Sequence, residues 1–297
     1  MSRLYFPFFL ASLFLSLPSF AVTLRLDSEV GSGYSSQHAD VDHQWNEVGG
    51  LSSVGGHLSG GSSRSTVEDS QTGEQTQYQS RDYGLGADLQ IDKLWMFGLS
   101  FDSNQTPDTD YVQNRGGLHL LYTLSLKDDS SLQIGGGVAR GKFKQSLAVR
   151  LLNRTAERDI DLESTETNLS LSWKINRRFS ARVQGTRYTY SRTKDELQTT
   201  FRNRVLNAAN SDLVLTMESL PESKVELLMI YSPRIDWDLS WTTSSTKQIV
   251  DDLVIRRNSL MASYYFGAWL IGGGGAVSQS SQFNNSSVLF ELGYVMD

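Results

Sequence analysis

The chain has 297 residues, a formal net charge of −6 and no cysteine. The missing thiols exclude a disulfide framework, a thiolate metal site and a cysteine nucleophile, and Lys and Arg are scattered over turns and loops without a basic stripe, which excludes a nucleic-acid reading. Mean hydropathy is negative although 39% of residues are hydrophobic, as expected where apolar residues alternate with polar ones.

Arg3 precedes an apolar stretch from Leu4 to Leu17, and Ser19 and Ala21 supply the small residues that a signal peptidase requires. Residues 1–21 are therefore expected to be a cleaved signal peptide, because the stretch is short for a ~20-residue span and contains Pro7. Its loss would leave a mature chain from Val22 that is more acidic still. Val22, Leu24, Leu26 and Val30 alternate with Thr23, Arg25, Asp27 and Glu29, an apolar row against a polar row on opposite faces of an opening strand. Residues 31–80 are rich in Gly and Ser, and Trp45, Val48, Leu51, Val54 and Leu58 are spaced nearer three than two. The segment is expected to be a surface loop, an extra hairpin or a segment folded into the lumen.

Regularity returns at Tyr83. Tyr83, Leu85, Ala87, Leu89 and Ile91 lead through a tight turn at Asp92 and Lys93 to Trp95, Phe97, Leu99 and Phe101. The same hairpin recurs from Leu118 to Val138 about a turn at 127–130, and from Leu169 to Val183 about a turn at 176–178. Long polar connections at 102–117, 141–165 and 190–200 stand against these short turns. Residues 195–232 are harder to read: Leu213, Leu215 and Met217 alternate, as do Val225, Leu227, Met229 and Tyr231, but Pro221 and the charges between them leave the strand directions open. Ile235, Trp237, Leu239 and Trp241 form a clear strand opposite Asp236, Asp238, Ser240 and Thr242. Residues 260–277 carry no charge and have the length of a helical span. Gly272 to Gly275 argue against a helix, each glycine costing ~1 kcal/mol relative to alanine, so two strands joined near 266–268 are expected.

At the end of the chain Val288, Phe290, Leu292, Tyr294 and Met296 alternate with Leu289, Glu291, Gly293, Val295 and Asp297. With short turns at one rim and long connections at the other, this pattern resembles the Gram-negative outer-membrane β-barrels, with the aromatic residue usual at the last position standing here at Tyr294. The resemblance is to an architectural class and covers essentially the whole mature chain. It implies an all-β fold, a transmembrane antiparallel up-and-down β-barrel of about 12–14 strands over residues 22–297, with short periplasmic turns and long extracellular loops. It further implies residence in the bacterial outer membrane, contact with its lipids and lipopolysaccharide, and insertion by the barrel-assembly machinery through the C-terminal strand. A monomer is expected.

In such a barrel the inward row contains Arg25, Asp27, Glu29, Asp88, His119, Lys174, Arg182, Asp236, Asp238 and Glu291. A wall with both signs of charge either lines a water-filled pore or locks it through salt bridges, and the excess of acids makes an open lumen favour cations. Trp95, Trp173 and Trp237, each close to a short turn, are candidates for an interfacial aromatic belt, the alternative being ordinary core packing. Asp236 and Asp238 stand about 6.7 Å apart on one strand face. That spacing suits acid–base work on a water, yet no histidine follows His119, and two lumen carboxylates are the simpler reading. His38, Asp40, Asp42 and His43 gather imidazole and carboxylate groups in the early segment without thiolates or a helical i, i+4 frame, so no metal is assigned. No cofactor and no catalytic residue is assigned either.

Three functions compete. The first is a porin-like outer-membrane channel for passive diffusion of small polar solutes, with a cation preference, favoured by the polar inner row and the small wall residues Gly98, Ser100, Gly135, Gly137, Ser170 and Ser172. The second is a closed structural or partner-binding barrel, serving surface interaction or export, supported by the early Gly/Ser stretch and the charged 141–165 connection. The third is a membrane-embedded hydrolase, for which no catalytic constellation assembles. No constriction loop is identifiable from the sequence.

Overall fold

The computed structural model describes residues 21–46, 53–68, 75–107, 111–126, 129–151, 154–198, 220–249, 252–281 and 284–296. Among these, fourteen antiparallel strands follow one another: β1 (Ala21–Gly31), β2 (Tyr34–Asn46), β3 (Ser53–Glu68), β4 (Gln75–Gln90), β5 (Trp95–Thr106), β6 (Tyr111–Ser125), β7 (Ser131–Leu151), β8 (Arg154–Lys174), β9 (Phe179–Tyr190), β10 (Pro221–Arg234), β11 (Trp237–Gln248), β12 (Val254–Phe266), β13 (Trp269–Gln279) and β14 (Asn284–Met296). Each pairs with its neighbours in sequence, and β14 returns to β1 in unbroken register from Val22 opposite Met296 to Gly31 opposite Ser287, closing the barrel. Closure satisfies every wall strand on both sides, which a chain crossing lipid by strands requires. No helix among the described residues is long and apolar enough to cross a membrane.

The two faces of the wall identify its solvent. Leu26, Val30, Leu85, Phe101, Leu120, Leu169 and Phe290 are exposed on the outer face, Leu169 at 70%. Their polar neighbours along the same strands are partly covered by one another on the concave face. In a water-soluble sandwich the apolar row would be the buried one; the inverse arrangement fits a wall whose outer face meets hydrocarbon.

Turns at one rim are tight and built from the sequence. Asp92 accepts hydrogen bonds from the backbone N–H groups of Leu94 (2.7 Å) and Trp95 (2.8 Å), and Asn176 accepts from Arg178 (2.8 Å) and Phe179 (2.9 Å). Both are the local Asx arrangement that lets a short polar side chain replace a backbone partner. The uncharged 260–277 run divides as its glycines indicate, into β12 and β13 about Gly267, whose φ of 59° suits a residue without a Cβ.

One stretch settles on an alternative that the sequence left open, and another departs from the expectation. The described residues of 31–80 take the extra-hairpin alternative and are part of the wall: β2, β3 and the beginning of β4 pair in continuous register, His43 opposite Gly56 and Leu58 opposite Leu85. Backbone ladders need no apolar periodicity, and Gly and Ser leave room on the concave face, so the usual strand signature is weak here. The connections at 102–117 and 141–165 are mostly strand as well, with only 152–153 between β7 and β8. Their outer residues are polar because these ends of the strands extend past the apolar band. The segment 1–20 and the alternating Leu213, Leu215 and Met217 lie outside the described residues.

Candidate functional site

The lumen face follows from register. Arg25, Asp27 and Glu29 share one side of β1, opposite Asp40, His38 and Ser36 of β2, and opposite Gly293, Glu291 and Leu289 of β14. Continuing round, Asp40 faces Ser59, Asp42 faces His57, Gly55 faces Asp88, Asp88 faces Gly98, and Gly98 faces His119. Among the described residues, the β1–β5 arc of this face carries Asp27, Glu29, Asp40, Asp42, Asp82, Asp88 and Asp102, with Arg25 as its permanent cation.

These charges are tied to the wall. Arg25 Nε lies 2.8 Å from Glu291 and 3.2 Å from Asp27. His38 bridges Asp40 (3.1 Å) and Asp82 (3.0 Å), His57 pairs with Asp42 (2.7 Å), and His119 pairs with Asp88 (3.0 Å). Arg115 joins Asp102 (3.0 Å) to Glu166 (2.6 Å), and Arg257 reaches Glu29 at 2.8 Å. Most of these side chains are one-third to one-half exposed, so each pair adds little stability, about 0–1 kcal/mol. Their effect is geometric: a paired side chain lies along the wall instead of projecting into the lumen.

Glycine makes several of these pairs possible. His38, Gly61 and Asp82 occupy one row across β2, β3 and β4; Asp88, Gly98 and His119 repeat it on β4, β5 and β6; Ser263, Gly272 and Glu291 repeat it on β12, β13 and β14. In each row the outer two side chains meet over the glycine between them. A Cβ on Gly61 would stand 2.6 Å from both His38 Nδ1 and Asp82 Oδ1, and one on Gly272 would stand 2.7 Å from Glu291 Oε2. On Gly98 it would overlap both His119 and Asp88. Strands are ~4.8 Å apart, so in these three rows the partners two strands away meet across a position without a side chain, whereas the longer Arg257 spans from β12 to Glu29 on β1.

The remaining sequence candidates are placed as follows. Arg182 donates to Gln184 on β9, and Lys174 ends β8 opposite Ser180. Asp238 lies on β11 and accepts hydrogen bonds from Ser232 and from Tyr265 (2.9 Å). Asp236 is not on that strand. It sits in the turn before β11, where its backbone carbonyl accepts from Tyr265 N–H, so the two carboxylates are not a pair on one regular strand face. The early histidine cluster also divides: His38, Asp40 and Asp42 share the lumen face, whereas His43 alternates to the other side of β2 beside Val22 and Gly56. His57, absent from the sequence-level cluster, takes its place. Among the described residues no three His or carboxylate groups are arranged to hold a metal. A cavity of about 240 Å³ opens at this end of the arc beside Asp42, His57, Asp88 and Gln90.

The opposite end of the lumen carries a feature that sequence reading missed. Tyr111, Phe143, Leu162 and Tyr190 project from β6–β9 on the same face as Arg115 and Glu166, yet Phe143 is 1% and Leu162 0% exposed. They are covered by Leu197, Leu220 and Ile249, which complete an apolar cluster. Leu197 belongs to a helical turn, residues 194–198, that leaves the wall after β9. Thr193 and Glu196 form a capping box around it, Thr193 N–H donating to Glu196 (2.9 Å) and Glu196 N–H to Thr193 Oγ1 (3.3 Å). Thr193-Lys-Asp-Glu196 is the sequence signal that marks this turn.

Polar contacts pin the turn to the rim. Lys194 Nζ is 2.6 Å from Asp252 and 3.4 Å from Glu222, and Lys247 Nζ is 3.0 Å and 2.9 Å from the same two carboxylates. Gln198 donates to the Ile249 carbonyl at 3.3 Å, Ile249 N–H to the Leu220 carbonyl at 3.0 Å, and Tyr190 OH to the Pro221 carbonyl at 2.9 Å. Hydrogen bonds from Lys194 and Lys247 hold the Asp252 carboxyl down at about 2.

On the outer face, aromatic rings gather at the rim of the short turns. Trp95 packs on Tyr122 and Trp269 on Tyr294, each pair with centroids 4.6 Å apart, and Trp237 packs on Tyr264 at 5.0 Å. Trp173 stands at the same rim, one residue from the end of β8. Cross-strand aromatic pairs of this kind contribute about 0.5–1.5 kcal/mol beyond their buried area.

No protein-family model matches the sequence, and no curated protein matches it. Solved structures resemble it in fold. The monoaromatic hydrocarbon channel CymD superposes with a TM-score of 0.55 at 10% identity, over 97% of this chain and 90% of that one. Two Pseudomonas putida proteins align less well: OprB (TM-score 0.49, 6% identity, 93% of each chain) and the toluene transporter TodX (0.48, 11%, 96% of this chain and 91% of that one). At these identities the likeness is one of fold: the chain has the architecture of an outer-membrane β-barrel.

Proposed function

We propose that this protein is a porin-like channel of the bacterial outer membrane, passing small polar solutes by passive diffusion with a preference for cations. The observation that carries the reading is the lumen face: charges of both signs are folded along the wall over glycines, with carboxylates in excess on the β1–β5 arc. A polar wall that holds its long side chains flat leaves the lumen to water, and its net charge selects by sign. The carboxylate pair considered for hydrolysis does not assemble, since Asp238 is tied to hydroxyl groups and Asp236 lies in a turn. In this reading the barrel is a monomer whose outer face meets lipid and lipopolysaccharide, with Trp95, Trp173 and Trp237 at the periplasmic interface, and whose C-terminal strand is presented to the assembly machinery after export.

The test is single-channel recording of the refolded barrel in a planar bilayer under a salt gradient. Steady conductance with a reversal potential of cation-selective sign is expected. A correctly folded barrel that stays silent at all voltages overturns the channel reading and favours a closed, partner-binding barrel, for which the apolar cover at one mouth is the structural argument.

A further inference from the structure

Resting on the channel reading, we propose that the helical turn 194–198, with Leu197 at its centre, is the constriction of this pore, and that Lys194 and Lys247 clamp it in place against Glu222 and Asp252. Apolar side chains on the lumen face of a water-filled barrel should be wet. Phe143, Leu162 and Leu197 are dry, and what dries them is the chain that leaves the wall after Tyr190. The cluster joins the upper ends of β6, β7, β8 and β9 to Leu220, which precedes β10, and Ile249, which follows β11. The turn therefore lies inward, over the lumen face of β6–β9 at this mouth.

The roof has two kinds of attachment. Burial of Leu197, Leu220 and Ile249 against Phe143 and Leu162 supplies the cohesion. The two lysines and two carboxylates form a closed four-charge ring that fixes where the turn sits, since each lysine contacts both acids. Exposed pairs are weak singly and gain from being networked, so the clamp sets position more than overall stability. A solute entering this mouth meets the exposed Asp195 and Glu196 of the turn, with Leu197 buried beneath them, and the acidic wall of the β1–β5 arc. Size exclusion belongs to the turn, and sign selection to the arc.

The absence of native cysteine makes the experiment clean. A Leu197→Cys barrel is prepared alone and with Lys194→Gln plus Lys247→Gln, and alkylation by a water-soluble maleimide is timed in lipid vesicles. The same lysine substitutions in the otherwise unaltered barrel are recorded in planar bilayers. Slow labelling in the single variant, several-fold acceleration when the clamp is removed, and a larger unit conductance of the clamp-free barrel are expected. Labelling that is fast in both barrels shows that the turn is not seated and overturns the proposal. Accelerated labelling with unchanged conductance shows a seated turn that does not limit flow, and overturns the constriction while leaving the channel reading intact. Accelerated labelling with no conductance in any barrel overturns both. Because Leu197→Cys removes buried volume from the turn, Ile249→Cys, a buried cluster position that leaves every side chain of the turn in place, serves as the second labelling site.

Discussion

The two ends of β7 and β8 use one alternation with opposite signs. Near the short turns Leu132, Ile134 and Val138 of β7 and Leu169, Leu171 and Trp173 of β8 point outward, while Gly135, Gly137, Ser170 and Ser172 face the lumen. Farther along the same strands, with no change of phase, Arg140, Lys142 and Lys144 point outward and Phe143 and Leu162 point in. The backbone is continuous; the surroundings exchange. In the channel reading, the outer face within the bilayer is solvated by hydrocarbon and the inner by water. Above it the outer face is in water, and the inner face is dry because the turn at 194–198 lies over it. A single period-two rule thus describes both ends, provided each face is assigned by what covers it rather than by position along the strand.

The strongest way to break this comparison is to remove the apolar side chain that holds the dry end together. Phe143→Ala, at a 1% exposed site with an edge-to-face contact to Tyr111 at 5.1 Å, is expected to cost about 3–5 kcal/mol in the unit formed by the mouth. Hydrogen exchange of β6–β9 should show that loss at their upper ends and leave the short-turn ends protected. Uniform deprotection would mean that the two ends form one cooperative block. The converse probe is Leu169→Arg, which puts a charge on the outer face of β8 at its most exposed leucine and should cost about 2–4 kcal/mol if that position lies near the bilayer midplane. Urea unfolding in lipid vesicles measures it, and a loss below about 0.5 kcal/mol, the range of ordinary surface substitutions, would place Leu169 outside the membrane.

A smaller effect sharpens the lumen side. Gly98→Ala would set a methyl group against His119 and Asp88, with an overpacking cost of about 1–3 kcal/mol. The displaced imidazole should project into the lumen and reduce unit conductance, and His119→Ala in the same barrel should restore it. Reduction that persists in the double variant would mean that the glycine serves the backbone and not the ion pair.

The same comparison explains what the sequence revealed. The lipid-facing rows were legible because hydrocarbon tolerates few polar outer residues, so Tyr83 to Ile91 or Val288 to Met296 announce a strand without any tertiary knowledge. Strands β2 and β3 were hard to read, since β3 carries Gly and Ser on both faces and the outer row of β2 mixes Ser35, Gln37 and His43 with Ala39 and Val41, which leaves chiefly hydrogen-bond ladders to define them. The upper parts of β7 and β8 read as a charged loop because their apolar residues face inward, singly, toward a cover that comes from distant sequence. Lumen candidates such as Arg25, Asp88 and His119 could be picked from alternation. Their partners two strands away could not, because a row such as Asp88–Gly98–His119 depends on register set by intervening turns. Asp236 was misplaced onto a strand for the related reason that a two-residue turn can carry an alternating pattern through it.

The smallest expected effect tests whether the mouth is held by charge as well as by packing. The Asp252 carboxyl, kept at about 2 by hydrogen bonds from Lys194 and Lys247, lies below the ordinary aspartate value of about 3.9. A depressed value means that ionised Asp252 favours the seated mouth above about pH 4, and that this contribution is lost as pH falls through about 2. Lys194 is shifted upward by the same contact, so no compensating loss is expected across the neutral range. Asp252 is largely exposed, and the effect on global stability should be slight. Carbon-detected NMR of the Asp252 carboxyl gives the answer directly: a midpoint near 2 that rises toward the ordinary range in Lys194→Gln supports a formed clamp. An ordinary midpoint with both lysines present would leave the turn held by the apolar seat of Leu197 and the Gln198 hydrogen bond to Ile249, and would make this mouth an extension of packing rather than a charge-positioned turn.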